Sequence, residues 1–115
     1  MSVTIWHNPK CSKSRETLAL LRARGIEPVV VEYLKTPPSA KEIKAAAKML
    51  GLPLRDLIRK KEAAYFALGL DDDAIAETDL AQRLAENPSL IERPVVFAKG
   101  KAAIGRPPEA VLSLF

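Results

Sequence analysis

The chain has 115 residues, 48% of them hydrophobic and 28% charged, which suits one domain with its own core and leaves no room for two ordinary domains. A formal charge of +4 mildly favours anionic partners, but acids are interspersed, basic clusters are short and aromatics are few, so neither a nucleic-acid nor a membrane partner is expected. One cysteine and one histidine exclude an internal disulfide and a zinc site built on those residues; with no leader read ahead of the first strand, the cytoplasm is the expected compartment.

Val3-Thr4-Ile5-Trp6 is β-branched and aromatic, as a buried strand requires, and Pro9 stops it. The loop His7-Asn8-Pro9-Lys10-Cys11-Ser12-Lys13-Ser14-Arg15 comes next and runs into a helix expected over 12–24. Leu18 and Leu21, with Leu20 and Ala23, should face inward, and Gly25 should supply the left-handed residue that ends the helix. With Cys11 or Ser12 at the cap, the thiol lies among unpaired backbone N–H groups at the positive end of the helix dipole, and cationic neighbours add to a field that favours thiolate. Pro28-Val29-Val30-Val31-Glu32-Tyr33-Leu34 then reads as a strand covered on both faces. A helix between two strands implies a parallel βαβ unit, which puts the Cys11 loop at the carboxyl end of the first strand, where open α/β sheets bind ligands.

Thr36-Pro37-Pro38 breaks the chain, and Ser39 with Glu42 forms a capping box for a helix whose Ile43, Ala46, Ala47 and Leu50 make one apolar stripe. Further helical pieces come after it: one opened by Pro53, one around residues 64–68, and one capped at Thr78 that ends before Pro88. Together these make a helical insertion over about 39–90 within a single domain, 1–115. Pro94-Val95-Val96-Phe97-Ala98, the turn Lys99-Gly100 and Lys101-Ala102-Ala103-Ile104 read as a β-hairpin, and Val111, Leu112 and Leu114 as an amphipathic terminal helix. The expected class is therefore α/β, with a four-stranded mixed sheet made of an N-terminal βαβ and a C-terminal ββα, flanked by helices in the thioredoxin-like plan.

A phosphatase-type loop needs an arginine six residues after its cysteine, where this chain has Thr17, and a dithiol oxidoreductase needs a second cysteine where it has Ser14. Any adduct or oxidised form of Cys11 must be released by an outside thiol. The segment over residues 7–15 resembles the active-site segment of the glutaredoxin-coupled arsenate reductases, a family of thioredoxin-like fold. The resemblance continues in order and spacing through Glu32-Tyr33-Leu34 with Pro37-Pro38-Ser39, Leu57-Ile58-Arg59-Lys60, Ile91-Glu92-Arg93-Pro94-Val95-Val96 and Gly105-Arg106-Pro107-Pro108-Glu109. It is nearest to the small arsenate-reductase-like bacterial proteins, through the Cys-Ser-Lys-Ser-Arg loop and the Ile-Gly-Arg-Pro-Pro-Glu ending.

The resemblance implies an enzyme that reduces arsenate to arsenite, with Cys11 as nucleophile and Arg59, Arg93 and Arg106 binding the oxyanion. It implies a cis-linked Pro94, no metal and no bound cofactor. Beside these, His7 reads either as a support for the thiolate or as an exposed turn residue, and Ser14 either as a donor to the thiolate or as a helix cap. Glutathione is the expected co-substrate and glutaredoxin the protein partner, with thioredoxin as the other donor to test. Two rivals share the fold: a redox-responsive regulator that binds RNA polymerase, and a general glutathione-dependent thiol reductase.

Overall fold

Alternation along β1 (Val3–His7) places Val3, Ile5 and His7 on one face of a sheet and Thr4 and Trp6 on the other. A computed structural model describes residues 2–115, which divide into two compact units: 2–36 with Arg93–Phe115, and Pro37–Glu92.

The first unit holds the sheet. β1 pairs in parallel with β2 (Val29–Glu32), setting Ile5 opposite Val30, and antiparallel with β3 (Val95–Ala98), setting Ile5 opposite Val96. β3 turns back into β4 (Lys101–Ile104), and the strand order is β2-β1-β3-β4. That is the mixed, thioredoxin-like sheet expected from the sequence. The hairpin turn puts Lys99 at φ 55° and Gly100 at φ 75°, the two left-handed residues that a two-residue turn needs to match strand twist. On one face, Val3, Ile5, Val96 and Ala98 form a core with Leu18 and Leu21 of α1 (Ser12–Ala23) and with Val111 and Leu114 of a 3-10 segment (Pro108–Leu114). Full burial of a side chain such as Ile5 or Leu21 stabilises by about 1.5–3 kcal/mol. The other face carries Trp6 edge-on to Phe97, with centroids 4.9 Å apart.

The second unit is helical. The Ser39 hydroxyl accepts from the Glu42 N–H (3.1 Å) and the Glu42 carboxylate from the Ser39 N–H (3.0 Å), the capping box that starts α2 (Ala40–Leu50). Next come a 3-10 turn (Leu54–Leu57), α3 (Ala63–Ala67), α4 (Glu77–Glu86) and a second 3-10 turn (Pro88–Leu90). α2 packs on α4, burying Ile43, Ala46 and Ala47 in one and Leu80, Ala81 and Leu84 in the other. The acidic turn after Leu70 is tied down by Arg55, which donates to the carbonyls of Leu70 (2.7 Å) and Asp72. The residues of the expected insertion lie in this unit.

Four local expectations need correction. β2 is an edge strand with Val29 59% and Val30 37% exposed, because strand order, not composition, decides whether a valine run is covered. In α1, Ala23 is exposed and Leu20 only half-buried; the inward stripe instead takes in Ser14 and Thr17 beside Leu18 and Leu21. α4 is capped at Ala76, not Thr78, with Glu77 and Asp79 supplying first-turn negative charge to the dipole. The terminal segment is 3-10, not α, and starts at Pro108, where a proline costs no intrahelical hydrogen bond. Among the described residues, no helix is long and apolar enough to cross a membrane, and no cluster of His, Cys, Asp or Glu could hold a metal ion.

Candidate active site

Asn8 and Pro9 turn the chain at the end of β1: Asn8 O accepts the Cys11 N–H at 3.0 Å and the Asn8 side chain accepts the Lys10 N–H at 3.0 Å. This leaves Cys11 extended (φ −94°, ψ 122°) as the N-cap of α1, its carbonyl accepting the Arg15 N–H at 3.0 Å. The Arg15 side chain folds back onto Pro9 O (2.9 Å), so it braces the loop and does not extend along the helix.

The Cys11 thiol is half-buried and free of any disulfide. Burial raises its pKa, but the Ser14 amide, the Arg93 guanidinium charge, the Lys13 amide and a hydrogen bond from the Arg93 side chain together outweigh that penalty. The net result is a pKa below the ordinary thiol value.

Two arginines flank the sulfur. Arg106 Nη1 lies 4.0 Å from Cys11 Sγ and 3.5 Å from the Arg93 carbonyl, which joins the two arginine-bearing turns. Arg93 Nε is buried and, among the described residues, has no hydrogen-bond partner. Both peptide bonds on the carboxyl side of these arginines, Arg93–Pro94 and Arg106–Pro107, are cis; the first was expected and the second was not. The Gly105 N–H bonds to Pro94 O at 2.9 Å, tying the hairpin's end to the same turn.

Beneath the loop, His7 Nδ1 and Ser14 Oγ are 2.6 Å apart, and the same hydroxyl accepts the Asn8 N–H at 3.0 Å. His7 is held below its ordinary pKa, chiefly by burial, with Glu32 opposing and Arg22 and Arg15 reinforcing the shift. A neutral imidazole paired with Ser14 therefore supports the turn that presents the thiol. Ser14 lies within the first turn of α1 and does not cap it.

The first unit thus brings together Cys11, Arg93, Arg106, His7, Ser14 and Pro94. Arg59 belongs to the second unit, where its guanidinium meets Glu62 (2.5 Å) and donates to Ser89 O (3.4 Å). Sequence reasoning missed Gly105 and Thr17. A Cβ built on Gly105 would lie 2.5 Å from Thr17 Oγ1 and 2.8 Å from Pro94 Cγ, so only glycine lets the Arg106 loop approach the thiol-bearing helix. The one available signal was a glycine directly before the arginine.

A thioredoxin-like sheet carrying one thiol at the N-terminus of its first helix, between arginines from the far hairpin, defines a class of single-cysteine, anion-handling thiol proteins. The sequence matches the ArsC family over residues 6–114. It is 47% identical over 115 residues to the arsenate reductase of Haemophilus influenzae, covering 99% of both chains. It is 52% identical over 113 residues to the uncharacterized protein YfgD of Escherichia coli K12, covering 97% and 95%. The solved arsenate reductase from Vibrio cholerae superposes with a TM-score of 0.98 at 52% identity, covering 100% of this chain and 98% of that one. The chain belongs to the ArsC family.

Proposed function

We propose that the chain is an arsenate reductase in which the Cys11 thiolate attacks arsenate held by Arg59, Arg93 and Arg106. The observation that carries this reading is the lowered Cys11 thiol with Arg106 at 4.0 Å and Arg93 acting on the same sulfur. A thiolate and an oxyanion repel each other, and fixed guanidinium forks offset that repulsion while remaining charged beside other cations. The unsatisfied Nε of Arg93 supports the reading as a donor suited to a bound oxygen. The Haemophilus and Vibrio relatives bear the same activity in their names.

In this mechanism the Cys11 sulfur forms a bond to arsenic and a hydroxyl leaves as water after taking up a proton. Glutathione thiolate then attacks the Cys11 sulfur; the S–As bond breaks with its electron pair on arsenic, which becomes trivalent and leaves as arsenite. The two sulfurs supply the two electrons and emerge as a Cys11–glutathione disulfide. A glutaredoxin thiol takes the glutathionyl group and regenerates Cys11. The cytoplasm, where such thiols are kept reduced, is the compartment this chemistry suits.

The test is NADPH-coupled arsenate reduction with glutathione, glutaredoxin and glutathione reductase, with thioredoxin run in parallel. Wild type turns over and Cys11→Ser does not. Arg59→Ala, Arg93→Ala and Arg106→Ala each raise the KM for arsenate about tenfold or more, since a hydrogen bond to a charged group is worth roughly 1.5–3 kcal/mol. A folded wild-type protein with a titratable thiol and no turnover with either donor overturns the reading.

A further inference from the structure

Arg59 is anchored in the backbone, its N–H bonded to Leu90 O at 2.7 Å beside the Ile58–Ile91 bridge. Three residues on, Glu62 returns its own N–H to Arg59 O (3.3 Å) and sets its carboxylate 2.5 Å from Arg59 Nη2. The Arg59 side chain is 26% exposed and that of Glu62 41%, so the pair is open to a small solute. Lys60, the neighbouring cation, is drawn instead to Asp56 at 3.5 Å.

A guanidinium carries five N–H donors, and Glu62 and Ser89 O each engage one nitrogen. An anion can therefore bind Arg59 while Glu62 remains on it, and the anion then sits within a few ångströms of a carboxylate. Whether that neighbour attracts or repels depends on whether the anion carries a proton. Arsenate and phosphate keep at least one hydroxyl at neutral pH and can donate it to the carboxylate as a charge-assisted hydrogen bond. Sulfate has no hydroxyl to donate, and meets Glu62 only as a like charge.

We infer that Glu62 makes Arg59 selective for protonated tetrahedral oxyanions, accepting a hydrogen bond from the bound anion's hydroxyl and turning sulfate away. This rests on the reading of Arg59 as an oxyanion ligand. Glu62 is a specificity-determining residue because it separates anions of the same shape by whether they carry a proton.

The experiment measures how well phosphate and sulfate protect Cys11 from alkylation by iodoacetamide at one neutral pH, a readout independent of turnover. In wild type, phosphate protects at lower concentration than sulfate. In Glu62→Gln the ratio of the two half-protecting concentrations moves about tenfold towards sulfate, equivalent to ~1.4 kcal/mol. Glu62→Ala moves it in the same direction. If Arg59→Ala weakens protection by both anions but neither Glu62 variant changes the ratio, the inference is overturned and the oxyanion role of Arg59 stands. If Arg59→Ala changes protection by neither anion, that role falls and the inference with it.

Discussion

The reactivity of Cys11 depends on a contest between its burial and a small set of named partners. Burial opposes ionisation, and the Ser14 and Lys13 amides with Arg93 reverse the balance. Arg93 acts on the thiol's ionisation through both its charge and a hydrogen bond, whereas Arg106 Nη1 donates to the same sulfur only at a long 4.0 Å, which separates the two arginines by role. Arg93→Ala is therefore expected to raise the thiol pKa, moving the midpoint of the alkylation-rate profile to higher pH, and Arg106→Ala to move it less. Equal shifts in the two variants would show that both arginines set the thiol alike. At this scale the sequence was informative about chemistry and silent about partners. The cationic loop around a lone cysteine announced a thiolate, but nothing in the spelling of Arg15 disclosed that its guanidinium is engaged by Pro9 O.

Elements matter through how closely they approach. α1 carries the thiol at its cap and Thr17 one and a half turns on, with Thr17 Oγ1 donating to Lys13 O at 2.8 Å. The loop after β4 lays Gly105 against that threonine, and the next residue is Arg106. Gly105→Ala must push the loop from the helix, at a cost of about 1–3 kcal/mol for overpacking a well-filled site. The expected result is a lower unfolding midpoint together with a raised KM for arsenate, since Arg106 moves with the loop. Adding Thr17→Ala removes the nearest clash and restores part of both, a non-additivity that a double-mutant cycle measures. Full additivity would show that the two residues do not press on each other. The sequence disclosed the elements themselves well, because periodicity, the Ser39 capping box and the Lys99-Gly100 turn are local signals. It did not disclose that β2 lies at an edge or that Gly105 is a contact point. Both depend on residues far away in the chain: Val95 to Ala98 take the inner position beside β1, and Thr17 is 88 residues from Gly105.

For the molecule as a whole, half-buried Cys11 and buried His7, which help to build the site, also link folding to pH. Cys11 has a folded pKa below its ordinary value, so the stability it contributes is complete above that ordinary value, about 8.5, and is lost as pH falls through the folded one. His7 is also depressed, and because it folds neutral the sign is the same. Its contribution is complete above the unfolded histidine value, about 6.5, and declines as pH falls towards the folded value. The groups facing His7 oppose one another, Glu32 favouring the imidazolium and Arg22 and Arg15 disfavouring it, while burial decides the direction. Urea midpoints measured from about pH 8.5 to about pH 5 should therefore fall in two stages. Cys11→Ser flattens the upper stage and leaves the lower. His7→Gln flattens the lower stage and leaves the upper. A wild-type midpoint constant across that range would mean that neither group is perturbed on folding, and would remove the electrostatic basis for a thiolate at this site.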